Sequence, residues 1–70
     1  MNASEVHNLK DEELVDRLRD AREEQFNLRF RHATGELEDT AKLGAARRDV
    51  ARLLTVARER GIDVERELKL

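Results

Sequence analysis

Arg48, Arg52 and Thr55 stand at i, i+4 and i+7, so on a helix they share one face. Arginine carries a planar fork that holds a phosphate with two hydrogen bonds, and its flat face stacks on bases. A row of such forks on a rigid helix can follow an RNA backbone without reading its sequence. Arg47 and Arg58 lie between this face and the apolar stripe of the same segment. The bland reading is a solvated face on which Asp49 and Glu59 balance part of the charge, and the spacing alone leaves both open. A second signal lies upstream, where Val15, Phe26, Phe30 and Ala33 form an apolar strip turned well away from the main seam. Two Phe rings set among Asn27, Arg29 and Arg31 can stack on unpaired bases. The strip can equally be a docking surface for another protein, or be covered by a chain terminus through Val6, Leu9, Val64 or Leu68.

Catalytic chemistry finds little to work with. The chain has no Cys, and its one Ser, Ser4, sits close to the N-terminus. His7 and His32 lack the spacing of a metal pair, and His32 is expected to be a half-buried seam residue. Asp11, Glu12 and Glu13 read as a solvated helix start. Gly35, Gly44 and Gly61 are isolated, so no phosphate-cradling loop exists. The expectation is no enzyme, no metal, no cofactor and no small-molecule substrate.

The elements that must carry these residues are helices. Residues 2–8 allow a short N-terminal helical turn with Ser4 as its cap candidate. A first long helix is expected over about 11–34. There Leu14, Leu18, Ala21, Gln25, Leu28 and His32 recur at alternating spacings of four and three. Gly35 is its natural stop. A connection over Glu36 to Asp39 follows, with Asp39 or Thr40 as the next cap. The second long helix is expected over about 40–60, with Leu43, Ala46, Val50, Leu53, Leu54 and Ala57 on one stripe and Gly61 as its stop. So short a connection makes the two helices antiparallel neighbours. The tail, 61–70, has Val64 and Leu68 at helical spacing. The expected architecture is all-α: one domain over 1–70, an antiparallel two-helix hairpin with long coiled-coil-like arms.

Composition agrees with this. In 70 residues the charged fraction is 43%, the hydrophobic fraction 39%, and Pro is absent, so nothing interrupts long amphipathic helices. No apolar run approaches a membrane span and no apolar signal core opens the chain, which makes the cytoplasm the expected compartment. The net charge of −2 hides an uneven distribution. Residues 1–25 hold four basic and eight acidic side chains, whereas residues 42–60 hold six basic and two acidic. Phosphate affinity depends on the local charge, so an RNA surface belongs to the second half.

These two signals coincide with a family pattern. The run Phe26-Asn27-Leu28-Arg29-Phe30, with Ala33-Thr34-Gly35-Glu36-Leu37-Glu38, resembles the hairpin region of the bacterial large-subunit ribosomal protein number twenty-nine family. The run Arg47-Arg48-Asp49-Val50-Ala51-Arg52-Leu53-Leu54-Thr55 is similar to that family's second-helix signature, and Glu12-Glu13-Leu14 with Leu18 to its opening. The resemblance covers about residues 9–60. It implies a structural constituent of the large (50S) subunit that binds 23S-type rRNA near the polypeptide exit tunnel. Ribosomal protein number twenty-three would be its neighbour, and nascent-chain factors such as the signal recognition particle would dock close by. Carried over by position, Asn27, Arg29, Arg47, Arg48, Arg52 and Thr55 would touch rRNA, with Arg31, Thr34 and Arg58 beside them. Phe26 and Phe30 would dock a partner. Lys10 departs from the pattern, standing where the family often has a Ser or Thr cap. Two other classes stay in view: a helical adaptor binding protein through Phe26 and Phe30, and a small enzyme subunit built on His32.

Overall fold

The structure is a computed structural model that describes residues 2–36 and 40–68. Its elements are α1 (Ala3–His7), α2 (Asp11–Ala33), α3 (Thr40–Glu59) and α4 (Val64–Leu68). The two long helices pack along each other, α1 lies on α3, and α4 lies on α2 with a lesser contact to α3. The fold is the expected all-α hairpin, with a short helix added on each flank.

Local chemistry sets the helix ends. Asn2, not Ser4, caps α1: its side chain accepts from the Glu5 backbone N–H at 2.9 Å. The Glu5 carboxylate closes the reciprocal capping box on the Asn2 N–H. Helix α2 starts at Lys10 without any side-chain cap, and Asp11, Glu12 and Glu13 in its first turn complement the helix dipole instead. Its end is a Schellman motif, in which Gly35 at φ +80° lets the Glu36 N–H reach the Arg31 carbonyl at 2.9 Å. Helix α3 closes the same way through Gly61 at φ +74°, with the Ile62 N–H on the Ala57 carbonyl at 3.0 Å. The cap candidate Asp39 lies outside the described residues.

The core is uneven along the hairpin. At the base, Val6, Leu14, Leu18, Val50, Leu53, Val56, Ala57 and Val64 form one buried cluster, joined by Leu9, Ala21, Leu54 and Ile62. Toward the tip, among the described residues, Leu28 and Ala46 are buried, with Leu43 against them. The seam therefore holds from Leu14 to Leu28 and then ends. His32 is exposed, contrary to expectation. Val56 falls off the main stripe of α3 yet is buried, because α1 lays Val6 against that flank. Both termini fold back, as one reading allowed, but onto the main core rather than over Phe26 and Phe30.

One side chain ties the base together. Arg60, just past the end of α3, donates from Nη1 to the Leu9 carbonyl at 2.6 Å and from Nη2 to the His7 carbonyl at 2.9 Å. Nη1 also meets the Asp11 carboxylate at 3.1 Å. The end of α3 thus lies beside the start of α2, which makes the long helices antiparallel. The two carbonyls belong to the chain leaving α1 and would otherwise go unsatisfied by protein. Arg60→Ala is expected to cost about 1.5–3 kcal/mol, the worth of hydrogen bonds made by a charged donor. Arg60→Lys should recover only part of this, since one ammonium lacks the fork that spans two carbonyls. Denaturant midpoints of the three proteins check the order.

Gly44 is a different case. It lies inside α3 in ordinary helical conformation, and a Cβ built there would meet only the Arg48 Nη1 at 3.8 Å. Gly44→Ala is expected to raise stability by about 0.5–1 kcal/mol by removing backbone freedom from the unfolded chain. A lowered melting temperature would show that the site is tighter than this spacing implies.

Candidate nucleic-acid interface

On α3, Arg48, Arg52 and Thr55 are exposed together, as one continuous surface one turn apart. The Thr55 hydroxyl donates back to the Ala51 carbonyl at 2.7 Å, and the Thr34 hydroxyl donates to the Arg31 carbonyl at 3.1 Å. Each hydroxyl has spent its proton inside its own helix and presents only an acceptor outward. Neither suits a phosphate, whose ionised oxygens also accept. Both suit a ribose 2′-hydroxyl, which donates. Arg52 and Thr55 also border a groove of about 230 Å³ whose other wall is α1, with Ala3, Val6 and His7. Helix α1 thus extends the α3 face, a placement that the sequence pattern did not reveal.

A second group forms across the hairpin. Arg29 of α2 and Arg47 of α3 line one cleft of about 240 Å³ with Gln25 and Leu43. The two arginines are far apart in sequence, and the antiparallel packing brings them together near the tip.

Other candidates are placed elsewhere. Asn27 and Arg31 are exposed on a further face of α2, beside Asp20, Glu23 and Glu24 in a shallow cleft. Those carboxylates weaken that face as a phosphate site. Arg58 faces the base instead of joining Arg48 and Arg52, lining a cleft with Arg22, Asp63 and Glu65. Phe26 and Phe30 remain 69% and 60% exposed, the large apolar side chains that the fold leaves in water. Val15 is half-buried beside Gly61, Ile62 and Arg66, so the strip is partly covered at its base end only.

Two residues have roles here that sequence reasoning missed. Gln25 was read as a seam residue, and from that seam position it also lines the Arg29–Arg47 cleft. Arg60 was not singled out at all. No local signal pointed to its role, because its acceptors, the His7 and Leu9 carbonyls, lie about fifty residues away in sequence. Among the described residues no group of three or more His, Asp or Glu is placed to hold a metal ion. Among the described residues no helix is long and apolar enough to cross a membrane.

Comparison with known proteins finds one family that matches most of the chain. The family model described as ribosomal L29 protein matches residues 4–60. The large ribosomal subunit protein uL29 of Streptomyces griseus is 52% identical over 63 residues, covering 90% of this chain and 85% of the relative. The protein of the same name from Nitratidesulfovibrio vulgaris is 51% identical over 61 residues, covering 87% of this chain and 100% of the relative. That from Corynebacterium jeikeium is 55% identical over 58 residues, covering 83% and 75%. No solved structure matches the chain. With the family pattern spanning α1 through α3, this chain belongs to the ribosomal L29 protein family, a structural and non-enzymatic component of the large ribosomal subunit.

Proposed function

We propose that this chain binds 23S-type rRNA near the polypeptide exit tunnel of the cytoplasmic ribosome. Two arginine groups make the contact: Arg48 and Arg52 on α3, and Arg29 with Arg47 across the hairpin. The observation that carries this reading is the exposure of these side chains on the part of the chain where basic residues outnumber acidic ones. The mechanism is electrostatic and shape-based. Guanidiniums neutralise phosphates, Thr34 and Thr55 accept from ribose hydroxyls, and the rigid helix pair sets the register. Asn27, Arg31 and Arg58 contribute at the margins, because carboxylates stand beside Arg58 and in the cleft that Asn27 and Arg31 line.

Phe26 and Phe30 supply a separate contact. Two rings this exposed on a small domain mark a docking surface. The partner that fits is the neighbouring ribosomal protein number twenty-three, with nascent-chain factors at the same rim. The test is co-sedimentation. The protein should travel with large subunits and stay bound through a moderate salt wash. Recovery instead in a protein complex free of rRNA would favour an adaptor acting through Phe26 and Phe30.

A further inference from the structure

We propose that Arg29, Arg47 and Gln25 form one anion site, which holds a single RNA phosphate between the two long helices. The proposal deepens the rRNA-binding reading above and rests on it.

Charge gives the first argument. Among the described residues, the lining of this cleft contains two guanidiniums and no carboxylate. The four other clefts described each contain at least one: Glu59 beside α1, Glu23 on α2, Asp63 and Glu65 at the base, Asp16 on the remaining side. Arg19 pairs with Asp16 at 3.3 Å and Arg60 with Asp11 at 3.1 Å, whereas among the described residues Arg29 and Arg47 have no ion-pair partner. Two like charges facing one cleft repel each other, and an anion between them turns that repulsion into two attractions.

Gln25 gives the second argument. It occupies a seam position between Ala21 and Leu28, where an apolar side chain would pack better. It is half-buried, and among the described residues its amide has no hydrogen-bond partner. A carboxamide donates two N–H bonds, so it can complete the ring of donors around a phosphate oxygen. The cleft, at about 240 Å³, has room for a group several times the ~30 Å³ share of one water. Half-buried Leu43 lines it and excludes part of the solvent, which strengthens the contact.

The experiment measures binding of the full chain to 23S-type rRNA over a range of salt concentrations. Wild type is compared with Arg29→Ala, Arg47→Ala, their combination and Gln25→Glu. If both arginines hold one phosphate, the combined loss is smaller than the product of the single losses. The double variant then flattens the logarithmic salt slope by roughly 0.7–0.9, the share of one phosphate. Gln25→Glu should weaken binding by about tenfold or more, because a carboxylate replaces the anion. The same substitution should leave the melting temperature level or higher, since a Glu four residues before Arg29 supports the helix. A Gln25 that only packs would give the opposite pair of results, with rRNA affinity unchanged. Single losses that multiply, with a slope change worth two phosphates, would overturn the shared site while leaving rRNA binding intact. A wild-type protein that fails to bind rRNA would instead refute the rRNA-binding reading and this one with it.

Discussion

Leu53→Ala is expected to cost about 3 kcal/mol, within the range for fully buried leucines. Leu53 is 0% exposed and sits in the base cluster with Val6, Leu14, Leu18 and Val56. Helices from three parts of the chain meet around it, so no single shift can collapse the space that its removal leaves. A chain of 70 residues has a total stability of roughly 3–10 kcal/mol, so this one truncation removes a large share. The melting temperature should fall by about 15 °C. Leu28→Ala makes the informative comparison. Leu28 is 7% exposed and, among the described residues, its cluster holds Ala46 and Leu43 besides itself. Water already reaches its surroundings, and the expected cost is nearer 1–2 kcal/mol. Equal costs at the two positions would mean that the tip is as well packed as the base, against the burial pattern. The contrast has a functional side. A stiff base and a thin tip put the Arg29–Arg47 cleft on the less stable half of the hairpin, where contact with rRNA has the most to add.

Arg48→Ala combined with Arg52→Ala is expected to weaken rRNA binding by about a hundredfold at moderate salt, close to one tenfold step for each charged contact. The slope of affinity against salt should flatten by roughly 1.4–1.8, as two neutralised phosphates are lost. Both side chains are exposed on α3 and neither belongs to the core, so the melting temperature should hardly move. Arg19→Ala serves as the control. Arg19 already pairs with Asp16 on the acidic part of α2, and its loss should leave the slope alone. A flattened slope with Arg19→Ala and not with the double variant would move the RNA surface to α2. Because Arg48 and Arg52 neutralise charge without reading bases, the loss should be similar for rRNA fragments of different sequence.

Much of the scaffold was legible in the residues. The alternating spacing of Leu14, Leu18, Ala21, Gln25 and Leu28 marked the buried side of α2, since helical periodicity translates directly into one face. Gly35 and Gly61 marked the helix ends because a left-handed residue is needed there. The strip with Phe26 and Phe30 was recognisable, but whether a terminus covers it was left open, and the structure leaves both rings exposed. Other features were not legible. Asn2 took the cap from Ser4 because the choice depends on where the first turn closes on Glu5. His32 is exposed although its spacing continues the seam, since periodicity sets the face of a helix and not what covers it. Arg58 was placed between the Arg48–Arg52 face and the apolar stripe, and only the position of α4 showed that Asp63 and Glu65 line a cleft with it.

The sequence by itself determined the arginine rows, the two long helices that carry them and the family to which they point. Each of these depends on contacts within a few residues, or on order along the chain. Only the tertiary structure decided which arginines act together. Arg29 and Arg47 line one cleft because antiparallel packing fixes the register between two helices, and Arg52 gains a second wall because Arg60 holds the end of α1 at the base. Register and docking arise from the fit of side chains distant in sequence, and helical periodicity carries no information about that fit.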